Sequence, residues 1–223
     1  LSQLTKIKTV FNFRKNDILN GGEGAPLTPI FHELIASKLK FNLPTCILNI
    51  GGISNITVIE NESSPKLSSK DIGPGKCLID NWIRTNSSKK FDLDGILANK
   101  GIINKIILEQ AQELFSNKPN SNFNSLDTND FDVSFARGLS LEDGAATLTN
   151  FTAKIISSEI ISSLKNELKK KIDIVVCDGG RKNKTLIKDI EDNLNKNLII
   201  KHIDDYGING DFIESQAFAF LAI

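Results

Sequence analysis

The sequence predicts an α/β domain built on a mixed five-stranded sheet with helices on both faces. Three observations carry that expectation. Strand-like segments follow one another closely between residues 45 and 71, separated by glycines and polar residues rather than by helices. From residue 140 onward, helical patterns alternate with apolar strand-like runs, so that the order from residue 45 is β-β-β-α…α-β-α-β-α. The run Ile172-Asp173-Ile174-Val175-Val176-Cys177 is nearly all apolar, as a strand buried on both faces in parallel pairing must be.

Taken in order, residues 7–11 read as a short strand, and a glycine-rich turn follows at 20–26. Ile30, Leu34, Ile35 and Leu39 then fall on one helical stripe. Residues 46–50 are a compact apolar run broken by Gly51-Gly52, and 56–59 are strongly β-branched, so the two predict a hairpin. Polar residues 60–69 are expected to loop out. A third strand is expected to end at Asp71, ahead of the breaker cluster Gly73-Pro74-Gly75. Leu78, Ile79, Trp82 and Ile83 give a helical face, residues 100–115 suggest another helix, and 117–132, rich in Asn, Ser and Asp, reads as a long surface loop. Ser140-Leu141-Glu142-Asp143 has the form of a capping box and opens a long helix. Its end is expected near Lys169-Lys170-Lys171, cations that suit the negative end of a helix dipole. After the strand 172–177 come a helix near 184–195, a strand at 198–203 and a last helix from about Asp211.

The chain carries 27 Lys plus Arg against 27 Asp plus Glu, so no net field draws it to nucleic acid or to a membrane surface. No apolar run approaches the ~20 residues of a membrane span, and the first residues lack the cationic, apolar form of a secretory leader. Cys46, Cys77 and Cys177 are scattered without paired spacing, which predicts buried thiols in a reducing, cytoplasmic setting rather than disulfides or a metal site. There is no Met, and residues 216–223 form an apolar helical run without a stop signal, so a partial chain is expected.

Four segments could carry chemistry. In Asn49-Ile50-Gly51-Gly52-Ile53-Ser54-Asn55 the glycines can bring backbone N–H groups close to a phosphate, though a plain hairpin turn accounts for them too. Asp71 stands before Gly73-Pro74-Gly75, at the end of a strand, where it could deprotonate a water or hold Mg²⁺; a turn-starting aspartate is the competing reading. Gly179-Gly180, followed by Asn183, joins a buried strand to a helix and could lay a nucleotide against the helix N-terminus, or simply allow close packing. Glu214 falls in the first turn of the last helix, where an acid is favoured for structural reasons alone. His32 and His202 have no partner pattern and are given no catalytic role, and no metal-ligating residue is assigned.

Asn12-Phe13-Arg14, Asp17-Ile18, Gly21-Gly22-Glu23-Gly24-Ala25-Pro26-Leu27, Pro29 and Phe31-His32 recur in order with Leu48 through Asn55, Asp71-Ile72-Gly73-Pro74-Gly75, Phe91-Asp92-Leu93-Asp94-Gly95, Ser125-Leu126-Asp127, Asp143-Gly144-Ala145-Ala146-Thr147 and Ala217-Phe218-Ala219-Phe220-Leu221-Ala222. Together these segments closely resemble the anhydro-N-acetylmuramic acid kinases. The element order is similar to that of the ribonuclease-H-like (actin-like ATPase) lobe of the sugar kinase and actin superfamily. The resemblance implies that 45–223 is such a nucleotide-binding lobe, truncated at its C-terminus, and that 1–44 is a remnant of the first lobe with a sugar-side segment.

It also implies an ATP- and Mg²⁺-dependent kinase of a cell-wall sugar. Asp71 would activate the water that opens 1,6-anhydro-N-acetylmuramic acid, and the freed O6 would take the γ-phosphoryl group. Gly51, Gly52, Asn55, Gly179, Gly180 and Asn183 would hold nucleotide, and Arg14, Gly24, Ala25, Pro26 and Glu214 would lie near the sugar. A small-molecule sugar and ATP are the implied partners, in peptidoglycan recycling in the cytoplasm; a homodimer stays open. The competing readings are an inactive split-gene or decayed fragment and a kinase of another anhydro-sugar. The sequence departs from the family pattern in lacking the first phosphate loop and the His-Gly-Gln-Thr motif. It also has Asn12 for Asp, Lys76 for Asn and Asn124 for Lys. Lys76 is expected near Asp71, holding its carboxylate ionised and weakening it as a base, so that Lys76→Asn raises activity.

Overall fold

Runs of β-branched and aliphatic residues around Gly51-Gly52 form two strands that pair back on each other, and a buried parallel strand docks beside them. The computed structural model describes residues 1–22, 24–60, 67–116 and 126–223. The elements are α1 (Ser2–Thr5), α2 (Phe13–Leu19), α3 (Pro29–Lys38), β1 (Thr45–Ile50), β2 (Ile53–Ile59), β3 (Leu67–Pro74), α4 (Cys77–Asn86) and α5 (Ile96–Lys100). They continue with α6 (Lys105–Ser116), α7 (Leu141–Ser163), β4 (Ile172–Cys177), α8 (Lys184–Asn193), β5 (Leu198–His202) and α9 (Ile213–Leu221).

The sheet order is β3-β2-β1-β4-β5. β1 and β3 flank β2 antiparallel, while β4 runs parallel to both β1 and β5. This is the mixed five-stranded sheet that the sequence predicts, with β4 directly beside β1, in the order of a ribonuclease-H-like lobe. Side-chain alternation sorts the core onto two faces. Cys46, Leu48, Ile50 and Ile56 join Trp82, Leu148, Phe151, Ile156 and Leu186 under α4 to α8. Ile47, Ile59, Val175 and Cys177 face the other way, against Phe31 and Ile35 of α3 and Ile213 and Ala217 of α9.

The helix α7 lies along the first face. The Ser140 Oγ accepts from the Asp143 N–H at 3.0 Å, and Glu142 and Asp143 place negative charge in the first turn. Only half of a capping box forms, because the Asp143 carboxylate accepts instead from the N–H of Ile102 at 2.7 Å.

Several elements differ from expectation. Residues 7–11 are not a strand: Val10 and Phe11 are exposed, and the five-stranded ladder gives them no partner. In α3 three of the four predicted stripe residues do face the sheet, Ile35 buried and Leu34 and Leu39 packed against the same cluster, whereas Ile30 is 56% exposed and Phe31 takes its place in the core. β3 runs past Asp71 to Pro74, where an edge strand tolerates a proline. The helical region 100–115 is two helices, broken before Asn104, whose Oδ1 accepts from the N–H of Ile107 at 3.1 Å. Helix α7 stops at Ser163, not at the lysine run, because Leu164 turns into the core and tighter turns follow it. Of the loop predicted at 117–132, residues 117–125 lie outside the described residues, as do Glu23, Asn124 and Ser125; Thr128–Asp130 is a 3-10 turn capped by Asp127.

Candidate active site

Two parallel neighbours, β1 and β4, end side by side, and the turns after them open on the same edge of the sheet. This edge is where open α/β sheets place ligands. The Gly51-Gly52 turn is tied to the chain after β3. The N–H groups of Gly75 and Cys77 donate to the Gly52 carbonyl at 2.9 and 3.1 Å, and the Lys76 N–H donates to the Gly51 carbonyl at 2.7 Å. Only glycine fits at 75, since a Cβ there would lie 2.3 Å from the Gly51 carbonyl oxygen. Across the gap, Gly180 packs on Ile50, and Asp178 sits at φ 62°, a conformation few L residues hold. The Asp178 carboxylate accepts from the Gly179 N–H and lies beside Gly51. The two glycine pairs therefore lie next to each other on one edge of the sheet.

A residue that the sequence reading missed holds the second turn. Arg181 is buried, its guanidinium forked onto Asp204 at 2.5 and 2.9 Å, with further bonds at 2.7 Å to Asp211 and 2.8 Å to the Asp178 carbonyl. The Arg181 fork holds the Asp204 carboxyl well below the ordinary range, at about 2. The available signal was a cation directly after the Gly179-Gly180 pair with acidic loops at 204–205 and 211. Asn183 is buried and its side chain caps α8, accepting from the N–H of Leu186 at 3.0 Å.

Asp71 lies on β3, with β2 and β1 between it and β4. Its register partner is Asn55, whereas Gly73 pairs with Ser54, so Ile72 is bulged out and the ladder slips by one residue beside the carboxylate. Asp71 and Asn55 share a face, and the Asn55 Oδ1 is buried with no hydrogen-bond partner. Asn55 thus stands opposite Asp71 rather than at the tip of the glycine turn. The Asp71 carboxylate accepts from the N–H of Leu126 at 2.8 Å. Burial pushes its pKa up, and the Leu126 N–H and the positive charge of Arg14 oppose that rise. A half-buried carboxylate with a raised pKa can take a proton from a bound water.

The remaining sugar-side candidates gather on this face. Arg14 donates to the Gly24 carbonyl at 3.2 Å, and Asp17 accepts from the Gly24 N–H at 2.7 Å, which folds Gly24, Ala25 and Pro26 back over α2. Phe13 stacks edge-on against Phe218 at 5.1 Å, bringing α2 to α9. Glu214 is exposed in the first turn of α9, and no described contact ties it to Asp71.

Lys76 is not where the sequence reading put it. The charge felt by Asp71 comes from Arg14, while the Lys76 ammonium reaches to Gly179 and acts on Asp80 of its own helix. Lys76 caps the start of α4 beyond the bulge, so its side chain leaves on the glycine-turn side of the sheet.

A family model described as anhydro-N-acetylmuramic acid kinase matches residues 1–223. The chain is 51% identical over 223 residues to the anhydro-N-acetylmuramic acid kinase of Pelagibacter ubique, covering 100% of this chain and 60% of that protein. The proteins of the same name from Zymomonas mobilis and Methylorubrum populi are 38% and 37% identical over 225 residues, with 58% and 57% of their lengths covered. The chain thus spans about 60% of the length of the relatives it matches. Among solved structures, the activator of the 2-hydroxyisocaproyl-CoA dehydratase from Clostridium difficile with bound ADPNP aligns with 88% of this chain and 65% of its own, at 13% identity and a TM-score of 0.48. That likeness is too slight to add to the strand order.

Proposed function

The chain belongs to the anhydro-N-acetylmuramic acid kinase family, and on that premise we propose that it forms the nucleotide-binding lobe and part of the sugar site of such a kinase. Residues 45–223 are read as that lobe and residues 1–44 as the sugar-side segment. The reaction is hydrolysis coupled to phosphorylation. Asp71 takes a proton from a water as its oxygen attacks the anomeric carbon of 1,6-anhydro-N-acetylmuramic acid. The internal ether breaks, its electron pair stays on O6, and O6 attacks the γ-phosphorus of ATP. ADP leaves, and the sugar product is N-acetylmuramic acid 6-phosphate.

The observation that carries this reading is the bulge at Ile72. It sets Asp71 on the face shared with Arg14 while the strand continues into the turn bonded to Gly51-Gly52. One short stretch of β3 therefore touches both the sugar side and the nucleotide side. Gly51, Gly52, Gly179 and Gly180 let the phosphates approach backbone N–H groups, and the cap on α8 keeps Asn183 in place behind them. Asn55 offers an unpaired acceptor beside Asp71, suited to a water or a sugar hydroxyl. Arg14, Gly24, Ala25, Pro26 and Glu214 would border the sugar. Magnesium would come in on the phosphates and neutralise their charge, with Asp178 supplying the kind of carboxylate oxygen that magnesium takes. A cytoplasmic role in peptidoglycan recycling follows from this substrate.

The test is turnover by the whole protein that carries this chain, with 1,6-anhydro-N-acetylmuramic acid and MgATP, read by ³¹P NMR. A sugar 6-phosphate appearing in step with ADP supports the reading. ADP formed at the same rate without the sugar, or no phosphorylated sugar at all, overturns it. Preferential phosphorylation of levoglucosan would move the assignment to another anhydro-sugar.

A further inference from the structure

We propose that Lys76 is a phosphate-holding cation that reaches from one glycine turn to the other, an inference that rests on the nucleotide reading above and adds a residue to it. The root of Lys76 is fixed on one turn by its N–H bond to the Gly51 carbonyl at 2.7 Å. Its tip is on the other, for the Nζ lies 2.5 Å from where a Cβ of residue 179 would stand. Any side chain at 179 would displace the ammonium, so Gly179 makes the room that Lys76 occupies. Among the described residues Lys76 forms no ion pair, and its charge acts on Asp80, one turn along α4.

An ammonium that forms no ion pair and lies beside two adjoining glycine turns is placed for an anion. The charge balance at the two turns points the same way. The Asp178 carboxylate lies beside Gly51 and would repel a phosphate that arrives without magnesium, and Lys76 sets a positive charge against it from the other turn. A lysine in that position binds phosphate oxygens as a flexible point charge. It also couples the turns, because a phosphate gripped by Nζ is held by the chain after β3 and lies against the chain after β4. On this account Lys76→Asn weakens nucleotide binding and does not raise turnover by freeing Asp71.

The experiment compares wild type, Lys76→Ala and Lys76→Arg of the whole protein by calorimetric titration with MgATP, magnesium-free tripolyphosphate and adenosine. Lys76→Ala should bind MgATP and tripolyphosphate about tenfold to a hundredfold more weakly, as loss of a charge-assisted contact predicts. Adenosine affinity should not change, and Lys76→Arg should keep most of the phosphate affinity. The inference is overturned if Lys76→Ala binds tripolyphosphate within twofold of wild type, or if it loses adenosine affinity in equal measure. Wild-type protein that binds neither MgATP nor tripolyphosphate would overturn the nucleotide reading as well. Wild-type binding with no effect of Lys76→Ala would overturn this inference alone.

Discussion

Replacing Arg181 by methionine keeps most of the buried volume and removes the fork that pins the Asp178-Gly179-Gly180 turn. The side chain is 4% exposed and makes bonds to Asp204, Asp211 and the Asp178 carbonyl. Each charge-assisted bond is worth about 1.5–3 kcal/mol where both partners are buried, but Asp204 is 43% exposed and Asp211 38%, so water takes over much of the loss. We expect Arg181→Met to lower the unfolding free energy by about 2–4 kcal/mol at pH 7. The pH dependence gives a second handle. A carboxyl held at about 2 against an ordinary 3.8 corresponds to about 2 kcal/mol, which its exposure cuts to about 1. Because the folded pKa is depressed, this stability is present above about pH 4 and is lost as pH falls toward 2. Urea denaturation at pH 7, 5, 4 and 3 should therefore show the gap between wild type and Arg181→Met narrowing on the acid side. A variant within about 0.5 kcal/mol of wild type at pH 7, or a gap that widens with acid, refutes the pinning role.

Arg14→Ala should let the Asp71 carboxyl climb further above its ordinary value, moving the acid limb of the kcat/KM profile to higher pH, with Arg14→Lys moving it less; an unmoved limb contradicts the pairing. His32 is buried, held by Thr57 at 2.8 Å, and desolvation lowers its pKa from 6.5 to about 4. Its folded pKa is depressed, so wild type should lose about 3 kcal/mol of stability as pH falls from 6.5 to 4, a slope that denaturation of His32→Gln should lack. Gly75→Ala would put a Cβ onto the Gly51 carbonyl, and it should cost about 1–3 kcal/mol in stability together with most of the MgATP affinity, read by denaturation and titration.

The sheet was legible because its strands are apolar runs bounded by glycines, and local pattern is enough to place β1, β2, β4 and β5. The failures have a common cause in contacts remote along the chain. Residues 7–11 have strand-like composition but no ladder to join, and at the start of α3 it is Phe31 rather than Ile30 that meets the sheet, a choice of fit that periodicity cannot see. In the site, Asp71 and the glycine pairs announced themselves by their place before turns. Arg181 did not, since its partners lie in loops 23 and 30 residues away. The influence of Arg14 on Asp71, and the direction taken by Lys76, likewise depend on how the N-terminal segment and the bulged strand fold back. A cation close in sequence to a carboxylate was therefore mistaken for its partner, and the distant one was overlooked.

The central claim is that Asp71 takes the proton from the attacking water. In the whole protein, Asp71→Asn keeps the volume and hydrogen-bonding reach of the side chain but cannot accept that proton. We predict that ring opening and phosphorylation fall together by about 10²–10⁴-fold, while MgATP affinity measured by titration stays within twofold of wild type. Near-normal turnover by Asp71→Asn would contradict the account and leave Asp71 a residue of the bulge alone.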